Sequence, residues 1–479
     1  MKPKRLLILL IILLPQHILA QTDIFEAMDS TFNARVRAMD DRYINYTRQM
    51  DEDFASYLAR SWEKFSMAEV ELGRFDDEAN FVSISLSPLT KYPTYTPVKG
   101  AKYKEVNIPF FEKELSLNVD SDTRFSLSSI SEFQVSWAWK KLTATSFSTI
   151  IEGTDKLRKE LLLNDWGVYM LISQLADQIF AEKQTDEKKV FMAFMLTHAG
   201  YNVKLARSGR GTGNEARLHL LIPFKTKVNQ WETTIDNKVY YTWTGKEKEK
   251  LNATYTSTDD IYSYRKNLKL AKADLNLTIK DVPSIGTVTM QKTIESKSKY
   301  LQEVKIAWRS SLTNFYDTYP STVLPIYANT PLSVATRKSL QLSFDTAINS
   351  MSERELVEQL LFWFYHAFQY KLDEEERPLF SEQTVKSLYN DCEDRAVFFA
   401  RILKEIVGVD VVLVVYEGEK GKISHVATGV HFGEKLNGVS TPHNGKEYMI
   451  CDPSDKRCVI GSTLDEYRNS KNKIIELIN

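Results

Sequence analysis

Three side chains in the last quarter of the chain have the types and the order that thiol chemistry needs. The stretch YNDCEDRAVFFARIL (Tyr389–Leu403) sets Cys392 directly ahead of an apolar helical pattern. Asp391 stands where a helix N-cap would, and Glu393 and Asp394 fill the first turn. As the first helical residue, Cys392 would have the helix dipole and free backbone N–H groups pointing at its sulfur, and both favour the thiolate. The adjacent carboxylates act the other way, so a basic partner is needed. His425 opens the alternating run HVATGVHF, in which His425, Ala427, Gly429 and His431 share one face. The small residues after His425 predict room for a bound group beside the imidazole. Asp452 ends KEYMICD, on the face of Tyr448 and Ile450, with Cys451 pointing to the other side. A helix-borne thiol, an imidazole on one strand and a carboxylate on the next are the nucleophile, base and orienter of acyl transfer. The backbone N–H of Cys392 is the natural first oxyanion donor, with Tyr389 and Gln369 as candidates for the second. No His/Cys spacing matches a closed zinc site, which argues against metal ligation by the same trio.

These residues need a helix and two strands to hold them, and the pattern around them supplies both. RELVEQLLFWFYHAFQY and DRAVFFARILKEIV read as helices, followed by strand-like VDVVLVVY, HVATGVHF and KEYMICD. The same helix-then-strand order occurs earlier, in DEKKVFMAFMLTHAG followed by VKLA, LHLLIPF and KVYYTW. Sliding the sequence by 208 residues sets Gly200 on Gly408, Val203 on Val411, Leu205 on Leu413, Phe224 on Phe432, Lys238 on Lys446 and Tyr240 on Tyr448. No gap is needed from 200–244 to 408–452, and the ten identities fall on hydrophobic and turn positions, so the chain reads as an internal duplication. At that offset Cys392 falls on Gln184, His425 on Arg217 and Asp452 on Thr244, so the first copy lacks all three chemical groups. The second copy carries an extra segment, LDEEERPLFSEQTVKSLYND, ahead of its cysteine.

Cys392 in DCEDRA, His425 in SHVATGV and Asp452 in YMICDPS, in that order, resemble the transglutaminase-like superfamily of papain-type cysteine enzymes, and within it an exported branch of Bacteroides type. The resemblance covers roughly 340–479, and 165–245 only through the duplication. It implies a cysteine-bearing helix packed on an antiparallel sheet that carries the histidine and the aspartate. It also implies Cys–His–Asp attack on amide bonds of a peptide or protein substrate, ending in hydrolysis or acyl transfer, with no metal and no organic cofactor. Inactive members of such folds exist, so an envelope interaction protein that has lost catalysis is the alternative.

The expected fold class is α+β. Residues 1–20 read as a signal peptide: a basic MKPKR, the apolar run LLILLIILL, and a plausible cleavage end at Ala20. That places the mature protein outside the cytoplasm, periplasmic or extracellular, with no integral membrane domain. A helical segment is expected over 21–72, with a dimer through that helix as a candidate assembly. A β-rich segment follows over 73–150, then a degenerate unit over 151–245, a second β-rich segment over 246–335 and the catalytic domain over 336–479. Within those segments RFSLSSISEFQVSWAW and TVLPIYA read as strands. A net charge of -1 and the lack of a basic, aromatic-interleaved patch argue against nucleic acid as a partner. Cys451 and Cys458 lie close enough in sequence to pair. His366 is expected to be a core histidine, and the glycine-rich SGRGTGNE a hairpin connection without the Lys-Ser/Thr of a phosphate loop.

Overall fold

The computed structural model describes residues 35, 39, 42–43, 45–69, 97–209, 216–243, 260–371, 377–387, 389–417 and 423–478. The expected signal peptide, the first part of the expected N-terminal helical segment, residues 73–96 of the expected β-rich segment, Thr244 and the interior of SGRGTGNE lie outside them.

The architecture is mixed α+β. A helix over 45–58 is followed by two short strands, β1 (Trp62–Ser66) and β2 (Ala68–Glu69). The helical reading of 21–72 is therefore corrected at its end. Trp62-Glu-Lys-Phe-Ser alternates, and it pairs antiparallel along β9 (Asp260–Tyr264). A hairpin, β3 (Tyr103–Phe110) and β4 (Lys113–Asp120), then leads into four helices, Glu132–Thr143, Ser148–Glu160, Asp165–Ile179 and Thr185–His198. The strand reading of 132–139 is overturned. Ser131 caps a helix there by accepting the Gln134 N–H, and Val135, Trp139 and Leu142 recur at helical spacing and are buried. Strands β5 (Lys204–Ser208), β6 (Arg217–Ile222), β7 (Trp231–Ile235) and β8 (Lys238–Thr242) complete the first unit.

The second unit repeats this plan. A hairpin, β10 (Thr289–Glu295) and β11 (Glu303–Arg309), precedes helices Ser310–Asp317, Leu324–Ala328, Val334–Ser350 and Glu353–Ala367. VLPIYA is thus helical rather than extended, with Pro325 in the first turn, where its missing N–H costs no hydrogen bond. Just ahead of the extra segment lies β12 (Gln369–Tyr370); the segment itself contributes a helix over Ser381–Lys386 and β13 (Tyr389–Asn390), with β12 and β13 paired in parallel. The helix Cys392–Ile402 and strands β14 (Asp410–Glu417), β15 (Ile423–His431), β16 (Ser440–His443), β17 (Lys446–Cys451) and β18 (Asn472–Glu476) follow.

The two sheets share one topology. The order β9-β5-β6-β8-β7 of the first recurs as β18-β14-β15-β17-β16 in the second. The pairings Lys204↔Leu221, Leu221↔Thr242 and Glu232↔Tyr241 become Val412↔Gly429, Gly429↔Ile450 and Ser440↔Met449 under the 208-residue shift. Even the hairpin turn is kept. Asp236 and Asn237, and Asn444 and Gly445, all have positive φ, the backbone of a type I′ turn. Each cysteine- or threonine-headed helix ends at a glycine with positive φ, Gly200 or Gly408, at the same position. The second helix starts one residue earlier relative to that glycine, and the surplus residue coincides with a π-helical turn at Leu403–Val407. Counted from the helix start, the counterpart of Cys392 is thus Thr185, not Gln184.

One continuous apolar core runs through both units. On the second sheet it takes Val411, Leu413, Val415, Val426, Val430 and Cys451 on the helix side. The opposite face holds Val412, Val414, Tyr416, Ala427, Tyr448 and Ile450. No helix among the described residues is long and apolar enough to cross a membrane.

Candidate active site

The cysteine helix is held in place by its own first turn. Asp391 Oδ1 accepts the Asp394 N–H, and Asp394 Oδ1 in turn accepts the Leu379 N–H at 2.7 Å. Arg395, fully buried one turn along, donates to Pro453 O at 2.7 Å, Phe368 O at 2.8 Å and Tyr365 O at 3.4 Å. It therefore ties the cysteine helix both to the loop after Asp452 and to the end of the helix Glu353–Ala367. Burial draws its guanidinium down to about 10, against the attraction of Asp452. The role of Arg395 escaped the sequence reading, although an arginine directly ahead of the apolar run AVFF was the available signal.

His425 and Asp452 meet. His425 Nε2 lies 2.7 Å from Asp452 Oδ2, with His425 only 2% and Asp452 1% exposed. The same carboxylate accepts the Thr463 hydroxyl at 2.8 Å and, on Oδ1, the Ser454 N–H at 2.9 Å. Burial acts to raise the Asp452 carboxyl, but the charge and hydrogen bond of His425 and the Ser454 and Thr463 donors hold it below the ordinary carboxylate range. The His425 ring clusters with two aromatic rings, Tyr467 at 4.9 Å and 14° and Tyr416 at 5.9 Å and 20° between planes, which also touch each other at 5.8 Å. Thr463, Tyr416 and Tyr467 are thus part of the arrangement, and no sequence spacing pointed to them.

Cys392 comes to the edge of this pair without joining it. The thiol is 5% exposed and donates to Glu393 Oε2 at 3.0 Å, while the backbone N–H of Val426, next to His425, reaches the sulfur. No hydrogen bond joins Cys392 to His425. Burial, then the charges of Glu393 and Asp391, push the thiol well above its ordinary value, with only the Val426 N–H opposing them. Glu393 was expected to do no more than support the helix start, yet it is the direct acceptor of the thiol proton.

The remaining sequence candidates fall as follows. Gln369 and Tyr389 are paired neighbours on β12 and β13 and are exposed, as is Tyr370. Burial and the charges of Cys392, Asp391 and Glu393 push the Tyr370 hydroxyl up. Of the small residues after His425, Gly429 offers no open space. A side chain at Gly429 would meet Val412, Val414 and Tyr448 at 3.1–3.2 Å, so the small residues serve close packing within the sheet. Cys451 and Cys458 are both unpaired and buried. His366 is exposed rather than in the core, donating through Nδ1 to Phe362 O at 2.8 Å.

In the first unit Arg217 stands at the His425 position and is exposed. The Leu218 N–H, equivalent to that of Val426, is taken by Asp186 Oδ1 at 2.9 Å. Searched against protein families, curated proteins and solved structures, the chain matches none.

Proposed function

We propose that this protein is an exported transglutaminase-like cysteine enzyme that attacks amide bonds of a peptide or protein, with Cys392, His425 and Asp452 as its triad. The carrying observation is the buried His425–Asp452 pair, one residue from the strand amide that reaches the Cys392 sulfur. In this reading the thiol turns from Glu393 to His425 and gives up its proton there. The thiolate adds to the amide carbonyl carbon, and the backbone N–H of Cys392 meets the oxyanion. His425 then protonates the departing nitrogen, leaving a thioester that water or an amine resolves. Asp452, fixed by Thr463 and Ser454, keeps the ring oriented through the cycle. The first unit, with Thr185 and Arg217 at the corresponding places, serves binding or packing.

A second reading, a non-catalytic envelope interaction protein on the same fold, draws support from the thiol's bond to Glu393 and its near-complete burial. Labelling with iodoacetamide at neutral pH separates the two. The enzyme reading expects modification of Cys392 that falls sharply in His425→Ala, together with turnover of glutamine-containing peptides that Cys392→Ala abolishes. Absence of labelling, or labelling indifferent to His425, sinks it.

A further inference from the structure

Away from the cysteine, the C-terminal end of the same helix opens on a cleft of about 330 Å³. This is within the range of small-molecule sites, about 300–1,000 Å³. One wall belongs to the second unit and the other to the segment that links the two units, through Thr278, Ile279 and Lys280. Four cationic side chains line it, Lys280, Arg337, Arg401 and Lys404, against a single carboxylate, Glu405.

That carboxylate is already committed. Glu405 Oε2 accepts Arg337 Nε at 3.0 Å, and Oε1 accepts the Leu332 N–H at 2.9 Å. Arg401 is 2% exposed; its Nε donates to Thr330 O at 3.0 Å, and its Nη1 stands 3.7 Å from Glu405. Its Nη2 makes no hydrogen bond among the described residues. Lys404 Nζ donates to Leu477 O at 2.7 Å and has two further protons to give. Lys280 is exposed and makes no ion pair among the described residues. Behind the wall, Glu382 accepts the Ser333 N–H and the Thr336 hydroxyl, and burial pushes its carboxyl up, toward the neutral form. Burial, and then the charge of Arg401, draw the Lys404 ammonium down against the pull of Asp410 and Glu405. The rest of the lining includes Ile279, Pro331 and Ile478. Cations that outnumber their carboxylate, facing an apolar wall, fit an anion with a hydrocarbon body.

We propose that this cleft binds a small organic carboxylate, its charge held by Arg401, Lys404 and Lys280 and its apolar part laid on Ile279, Pro331 and Ile478. This goes beyond the thiol chemistry and stands or falls independently of it.

The test is calorimetric titration and thermal unfolding of the full chain with hexanoate, with hexanol as the uncharged probe of the same length. Hexanoate should bind saturably and raise the unfolding temperature, while hexanol should do neither. Lys404→Met should keep the unliganded fold and weaken hexanoate by about tenfold, the loss of one charge-assisted hydrogen bond. Lys280→Met serves as the second variant if Lys404→Met does not fold, and the exposed Lys99→Met should change nothing. Equal binding of hexanol, or unchanged affinity in the lysine variants that fold, overturns the assignment. So does inorganic phosphate binding tighter than hexanoate, because the apolar wall would then have no role.

Discussion

Asp186 accepts the backbone N–H of Leu218 at 2.9 Å, and 208 residues further along the same strand amide, now that of Val426, is turned on the sulfur of Cys392. The donor is common to both units while the group it faces has changed from a carboxylate to a thiol. A peptide N–H that holds a carboxylate in one unit is suited to hold a thiolate in the other, since both are anions seeking a charge-assisted hydrogen bond. The second unit adds what the first lacks, an imidazole at 425 backed by a buried carboxylate at 452.

Glu393 restrains the thiol. Its charge and its hydrogen bond both act to keep Cys392 protonated. Replacing it by glutamine removes the charge, so the pH midpoint of iodoacetamide alkylation should move down and the rate at pH ~7.5 should rise several-fold. An unchanged profile in Glu393→Gln would show that burial alone sets the thiol.

Asp452 should make stability depend on acid. Its folded value lies below that of an ordinary aspartate, so its contribution is present above the unfolded value and is lost as pH falls through the folded one. Urea denaturation should therefore find Asp452→Asn well below wild type at neutral pH. The gap should narrow as pH drops below about 4. A gap that stays constant with pH would assign the loss to packing instead.

Arg395 is expected to hold the site together rather than to react. Arg395→Met leaves the buried carbonyls of Pro453 and Phe368 without their donors, at about 1–3 kcal/mol each. A loss of about 2–5 kcal/mol in urea unfolding is expected, with Lys restoring part of it. A loss under about 1 kcal/mol would mean that water replaces the guanidinium at little cost.

The cap at Asp391 offers a smaller, separate check. Asp391→Ala removes the acceptor for the Asp394 N–H and should destabilise by about 1 kcal/mol. Far-UV circular dichroism on urea titration reads this directly, and no change would show that Glu393 and Asp394 suffice to start the helix.

What the sequence could convey depended on how local the physics was. The order helix–strand–strand and the helix start at Cys392 rest on spacing within single elements, and spacing is visible. The helix at Glu132–Thr143 was misread because its serines and aromatics suit strands in isolation, whereas tertiary burial of Val135, Trp139 and Leu142 decides the matter. The rings of Tyr416 and Tyr467 against His425, and the acceptance of the thiol proton by Glu393, depend on side-chain directions that no pattern encodes. Gly429 is a further case: a missing side chain reads as open space in one dimension, yet three neighbours close it in three.

The π-helical turn at Leu403–Val407 bears on the rotational phase of the nucleophile. A helix advances about 100° per residue, so one surplus residue in a regular helix would swing everything ahead of it by more than a quarter turn. Wound instead into a single wider turn near the glycine end, the surplus leaves the front of the helix in step with its counterpart in the first unit. Cys392 then points where Val426 can meet it, as a clock keeps its hour hand aligned when one extra tooth is taken up at the hub. Deleting one residue from that turn is a shift of angle, not of composition, and the side chain it would displace most, Cys392, lies eleven residues ahead of Leu403, ~16 Å along the axis.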